Sequence, residues 1–99
     1  MTTKSNELVV FATARAVPGK EAALVKALQE ASAPTLAQPG CLGFSLYGTA
    51  DGSTITAIER WKSKSDHQKH LQGKHVQELM GKFNGVLAGA PVIVEMNPL

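Results

Sequence analysis

Apolar and polar positions change period several times along the chain, and each change marks an element. Leu8-Val9-Val10-Phe11-Ala12-Thr13-Ala14-Arg15 is a short apolar, β-branched run, which predicts a strand. It stops at Val17-Pro18-Gly19. From Lys20 the apolar positions take helical spacing: Leu24, Leu28 and Ala31 recur, joined by Val25, and Lys20, Lys26, Gln29 and Glu30 supply polar faces. Pro34 is expected to interrupt this helix, with a ragged last turn to Gln38, and Pro39-Gly40 is a break. Cys41 to Tyr47 alternates, with Leu42, Phe44 and Leu46 on one face and Cys41, Ser45 and Tyr47 on the other. Asp51-Gly52 is a hairpin turn signal. Thr54 to Lys62 alternates again, placing Ile55, Ala57, Glu59 and Trp61 on one face and Thr56, Ile58 and Arg60 on the other.

Ser63 followed by Asp66 three residues on is a capping-box variant that starts a helix. Gly73 breaks it. Val76, Leu79, Met80 and Phe83 then stand at i, i+3, i+4, i+7, a second helical stretch that Gly85 and Gly89 loosen. Pro91 leads into a last strand, Val92-Ile93-Val94-Glu95-Met96. The order is strand, helix, strand, strand, helix pair, strand, the ferredoxin-like βαββαβ plan of an α+β domain. Its sheet is expected to be antiparallel with the helices on one face. The other face also carries apolar side chains and needs a cover, for which a second copy of the same sheet is the simplest answer, hence a homodimer.

The 99 residues suffice for one domain, expected over 8–99 behind a flexible N-terminus at 1–7. A formal charge of +2 is too small to argue for nucleic acid, and Lys62, Lys64, Lys69 and Lys74 are interleaved with Glu59 and Asp66, as on a solvated helix face. The single cysteine, Cys41, cannot form an intrachain disulfide and reads as a small core residue. No apolar stretch is long enough for a signal-peptide core or a membrane span, so the expected location is cytoplasmic, with no membrane partner.

No metal site is expected: His67 and His70 are i, i+3, but no third ligand has suitable spacing. No glycine pattern makes a phosphate loop. The informative region runs from Glu59 to His75. Glu59 shares a strand face with apolar Ile55 and Ala57, where a carboxylate needs either a salt-bridge partner or a role in a pocket. Trp61 is either core or the wall against which a flat ligand stacks. His70 and His75 flank the Gly73 break, where histidines reach the space between helices and sheet and can move protons near neutral pH.

Pro18-Gly19-Lys20-Glu21, Pro39-Gly40-Cys41, Glu59-Arg60-Trp61-Lys62-Ser63, His70-Leu71 with His75, and Leu87-Ala88-Gly89-Ala90-Pro91 come in one order and spacing. This set resembles the antibiotic biosynthesis monooxygenase family, and within it the small quinol monooxygenase-like proteins, over about residues 8 to 99. The resemblance implies a dimeric α+β barrel formed by two ferredoxin-like domains packed sheet to sheet, with a pocket in each. It implies oxidation of a flat polyphenolic or quinol substrate by O2 without metal, flavin or other cofactor. By resemblance Trp61 walls the pocket, His70 is the proton acceptor or donor to a ring oxygen, and His75 and Glu59 orient it or stand in for it. Tyr47 donates to a substrate oxygen if its alternation brings it to the Trp61 face, which the sequence leaves open. Haem-degrading relatives carry an Asn on the first strand, where this chain has Ala12-Thr13-Ala14 and departs from them. The rival expectations are an isomerase on the same scaffold, its cations drawn from Arg15, Arg60 or Lys74, and a non-catalytic ligand-binding or stress-response protein.

Overall fold

The computed structural model describes residues 6–99. Its elements are β1 (Leu8–Arg15), α1 (Glu21–Leu36), β2 (Cys41–Gly48), β3 (Thr54–Trp61), α2 (Lys64–Leu71), α3 (Lys74–Lys82) and β4 (Val92–Met96). The sheet order is β2-β3-β1-β4, and every neighbouring pair is antiparallel. β1 and β2 are therefore parallel with β3 between them, and β3 and β4 are parallel with β1 between them. These two interleaved split βαβ units are the expected ferredoxin-like α+β fold. The expected N-terminal segment 1–7 lies outside the described residues at 1–5. Glu7 is tied to Arg60, whose Nε and Nη2 donate to its carboxylate at 2.9 and 3.1 Å. Among the described residues, no helix is long and apolar enough to cross a membrane.

Alternation along the strands separates two faces. Leu8, Val10 and Ala14 of β1 and Ile55, Ala57, Glu59 and Trp61 of β3 are buried on the helix side, with Leu24, Ala27, Leu28 and Ala31 of α1 above them. The opposite face carries cross-strand rows. One is Ser45, Ile58, Phe11 and Val94; the next is Tyr47, Thr56, Thr13 and Val92. Tyr47 and Val92 are 61% and 62% exposed, so this apolar face is open to solvent in the single chain.

The hairpin expected at Asp51-Gly52 joins β2 to β3: the Asp51 carboxylate accepts from the Thr49 hydroxyl and from the Ser53 amide and hydroxyl, and Gly52 takes φ +73°. Two local expectations change. Pro34 does not stop α1, which runs on to Leu36; it lies in the last turn, where the absent N–H costs a single ladder bond, and Thr35 beyond it is buried. Strict alternation also fails in β2, where the register slips between Cys41 and Gly43 and Leu42 is the extra, half-exposed residue. This bulge turns Cys41 to the helix side opposite Trp61, while Phe44 stays opposite Glu59.

The core is split. Ala14, Ala16, Leu24, Leu28, Ile55 and Val86 pack at one end, and Leu8, Val10 and Trp61 pack at the other with Cys41 against them. Between them the sheet offers only the short side chains of Ala12 and Ala57, which are register partners, under Ala31 of α1. That gap is the cavity.

Candidate functional site

A cavity of about 250 Å³ lies between sheet and helices. Its floor is Ala12, Ala14 and Ala57, its far wall Leu28, Ala31 and Thr35, and its α3 side Val76, Leu79, Met80 and Phe83. Polar groups gather at one end. The sheet row Phe44, Glu59, Val10, Glu95 puts one carboxyl on each side of Val10, and His67, His70 and His75 come from the helix pair.

Local sequence explains how the histidines get there. Ser63 caps α2: its hydroxyl accepts the Asp66 amide at 3.1 Å and donates to the Asp66 carboxylate at 2.9 Å. Gly40 lies against that carboxylate with φ +84°, and a Cβ there would collide with Asp66. The cap thus fixes α2 against the start of β2, which aims His67 and His70, one turn apart, at β3. Both rings are buried.

Trp61 is fully buried and does not line the cavity; it backs it. Its ring lies 4.7 Å from that of His70 and 5.7 Å from that of His67, centroid to centroid. Its Nε1–H donates to Glu59 Oε1 at 2.9 Å, so the two residues of the E-x-W pair, side by side on one strand face, are bonded to each other. Glu59 needs this donor: burial pushes its carboxyl above the usual range and the indole hydrogen bond pulls it back. Tyr47 is the residue the structure keeps apart. It pairs with Thr56 on the open face, so its hydroxyl cannot reach the cavity of its own chain.

His70 Nδ1 and His75 Nε2 are 3.0 Å apart. The contact occupies Nδ1 of His70 and not its Nε2, and the residue lines the cavity. Burial first, and then the neighbouring His75 and His67, hold His70 neutral down to about 4. His67 is lowered too, chiefly by burial, and its Nδ1 is enclosed without a hydrogen-bond partner. Cys41 is held as a thiol, raised mainly by burial. Among the described residues no group of three or more His, Cys, Asp or Glu could hold a metal ion.

Sequence reasoning did not place Phe44, Ile93 or Glu95 in the site. The signal for Glu95 was its alternation with Val94 and Met96, which sets it on the helix side. The alanines at 12, 14 and 57 were the signal for the cavity itself, since strand positions facing helices normally carry larger side chains.

A ferredoxin-like sheet with a helix-side cavity, a carboxyl held by an indole and paired imidazoles defines a small α+β pocket protein. The sequence description of the antibiotic biosynthesis monooxygenases matches residues 8–82, and the chain belongs to that family. It is 27% identical over 82 residues to the Mycobacterium tuberculosis protein named "Putative monooxygenase Rv0793", the match covering 83% of this chain and 81% of that one. The solved structure of Rv0793 superposes with a TM-score of 0.87 at 26% identity, covering 94% of this chain and 95% of that one. PA3566 from Pseudomonas aeruginosa superposes with a TM-score of 0.89 at 26% identity over 99% of each chain.

Proposed function

We propose that this protein is a monooxygenase that oxidises a flat, uncharged phenolic or quinol-like aromatic with O2, the substrate itself supplying the electrons. The observation that carries the reading is the cavity: an apolar slot closed at one end by Glu59 and the His70–His75 pair. An engineered cavity of about 150 Å³ takes benzene, so about 250 Å³ suits a larger ring system. His70 Nε2 is the base. It takes a proton from an acidic C–H or O–H of the substrate, and the electron-rich anion reduces O2 and forms a carbon–oxygen bond. The peroxide collects a proton, its O–O bond breaks, water leaves, and the carbon is left as a carbonyl. For anthrone the balance is one O2 consumed, one quinone oxygen gained and one water released. Glu59, held by Trp61, orients the substrate oxygen, and the apolar walls exclude water from the anion. Trp61 acts through Glu59 and His70 rather than by touching the substrate, and Tyr47 has no role in this chain's own cavity.

The lining also bears on the isomerase alternative. A phosphorylated substrate needs cations, and among the described lining residues there is no lysine or arginine. Lys64, outside the lining, is 3.6 Å from the Glu95 carboxylate. The open sheet face with Phe11, Ile58 and Val94 supports a homodimer packed through that face.

The test is O2 uptake with anthrone and a panel of hydroquinones, chelator present, corrected for autoxidation. Protein-dependent uptake that His70→Ala removes is the expected result. Uptake that survives His70→Ala overturns the role of His70, and no uptake across the panel overturns the substrate class.

A further inference from the structure

His70 and His75 are five residues apart, a spacing that an unbroken helix would not bring together. Five steps of about 100° leave side chains roughly 140° apart around a helix. The break between α2 and α3 removes that obstacle. Gly73 begins α3 from an extended conformation, and His75 follows in the first turn with its ring folded back on His70. The position is tight: a Cβ there would stand 3.2 Å from His75 Cε1 and Nδ1 and 3.1 Å from the His70 carbonyl oxygen, so the His75 ring would have to give by a few tenths of an ångström. The chain break and the missing side chain together seat one imidazole against the other.

We propose that His75 is a proton relay, carrying protons between His70 and bulk water. This rests on the oxygenase reading, in which His70 takes a proton from substrate. In the resting pair His70 Nδ1–H donates to His75 Nε2, and His75 carries its single ring proton on Nδ1. When the substrate C–H or O–H bond breaks and His70 Nε2–H forms, His70 Nδ1–H passes to His75 Nε2, and His75 Nδ1 gives its proton to water. Both rings end neutral in their other tautomers, one proton stands in solution, and the substrate keeps the electron pair. Protonation of the peroxide runs the same wire inward and restores the starting tautomers.

The surroundings explain why a relay is needed. The groups facing His70 are His75 of α3, His67 of its own helix, Trp61 and Glu59 of β3, and Glu95 of β4 across the cavity. Its Nδ1 is hydrogen-bonded to another imidazole, not to a carboxylate that would hold an imidazolium. His70 stays neutral down to about 4. Leaving a proton from a phenol of pKa about 10 on such a base is unfavourable by about a millionfold, whereas delivering it to water at pH 7 is unfavourable by only about a thousandfold. His75 is part-exposed, which gives the proton its way out.

The test uses His75→Gln, which can keep the hydrogen bond to His70 but cannot pass a proton on, and His75→Phe, which removes both. With anthrone as substrate, kcat is expected to fall at least tenfold in each with KM changed less than twofold. Added imidazole is expected to restore it in a saturating way, because a soluble base can replace a relay. Gly73→Ala, which presses on the His75 ring without altering it, is expected to lower kcat in the same direction. A His75→Gln kcat within twofold of wild type overturns the relay, as does a loss that imidazole leaves unchanged. Nitrogen-15 imidazole spectra test the contact without turnover: His75→Phe is expected to shift the His70 Nδ1 line and raise the His70 titration midpoint. The two readings fail separately. A wild type without O2 uptake across the panel overturns the proposed substrate class, whereas His70 lines unchanged by His75→Phe overturn the relay whatever the wild type turns over.

Discussion

Glu59 and His70 line one cavity, and burial moves both toward their neutral forms, the carboxyl upward and the imidazole downward to about 4. Their effects on stability run in opposite directions. Between pH 6.5 and 4 the unfolded chain protonates His70 and the folded chain does not, so stability is lost as pH falls through that window. The loss amounts to up to about 3 kcal/mol at roughly 1.4 kcal/mol per pH unit, and His67, also lowered, adds in the same direction. Glu59 is protonated in the folded chain before the unfolded one, so as pH falls from its raised folded value to 4.5 it adds stability. Urea midpoints measured from pH 7 to pH 4 are therefore expected to fall for the wild type, less steeply for His70→Gln and more steeply for Glu59→Gln. Parallel profiles for all three would mean that neither group is held neutral. At the same scale, Ala12 is where a side chain could fill the cavity. Ala12→Leu is expected to leave the protein folded with a denaturation midpoint near that of the wild type, since new contacts roughly offset crowding. Oxygen uptake is expected to fall at least tenfold, which an oxygen electrode beside a thermal melt would read.

Glycines decide how the elements meet. Gly40 holds φ +84° beside the Asp66 carboxylate, and its carbonyl accepts the Lys62 amide at 2.7 Å, so one residue pins the start of β2 to the cap of α2. Gly40→Ala adds both a strained backbone and a collision, and is expected to cost roughly 1–3 kcal/mol, read as a lower urea midpoint at unchanged m-value. Strands and helices were legible where the period is unbroken: Ile55, Ala57, Glu59 and Trp61 alternate onto the helix face as their spacing predicts. β2 was less legible, since a bulge does not disturb composition and only pairing with β3 reveals that Leu42 is the extra residue. The E-x-W pair could be seen on one face, but its hydrogen bond required the side-chain rotamers. His70 and His75 could be seen to flank a break, yet the distance between them depends on the turn at Gly73, which the letters do not specify. Tyr47 shows the limit most directly. Its face depended on register against Thr56, and that register turned it away from the cavity.

Across the whole molecule the sheet is asymmetric. Its helix face carries a split core with a cavity between the halves, and its open face carries the apolar rows through Phe11 and Val94. A domain of this size buries too small a fraction of its surface to leave such a face wet without loss. The face also differs from a free surface in composition: among its row members Val9, Phe11, Ile58, Val92, Val94 and Met96 are apolar, and Arg60 at its margin is already bonded to Glu7. Self-association through this face would bury Phe11 near its centre and leave the helix-side cavity of each copy intact. Phe11→Lys places a charge there without touching a cavity residue. The wild type is expected to sediment at twice the mass of the chain and Phe11→Lys at the mass of one chain, with a lower thermal midpoint because the apolar face is then uncovered. Ala12→Leu, whose change lies on the other face of the same strand, is expected to remain a dimer. A wild type that sediments as a monomer at micromolar concentration would mean that the open face is tolerated, and the stability of the fold would then rest on the two core clusters alone.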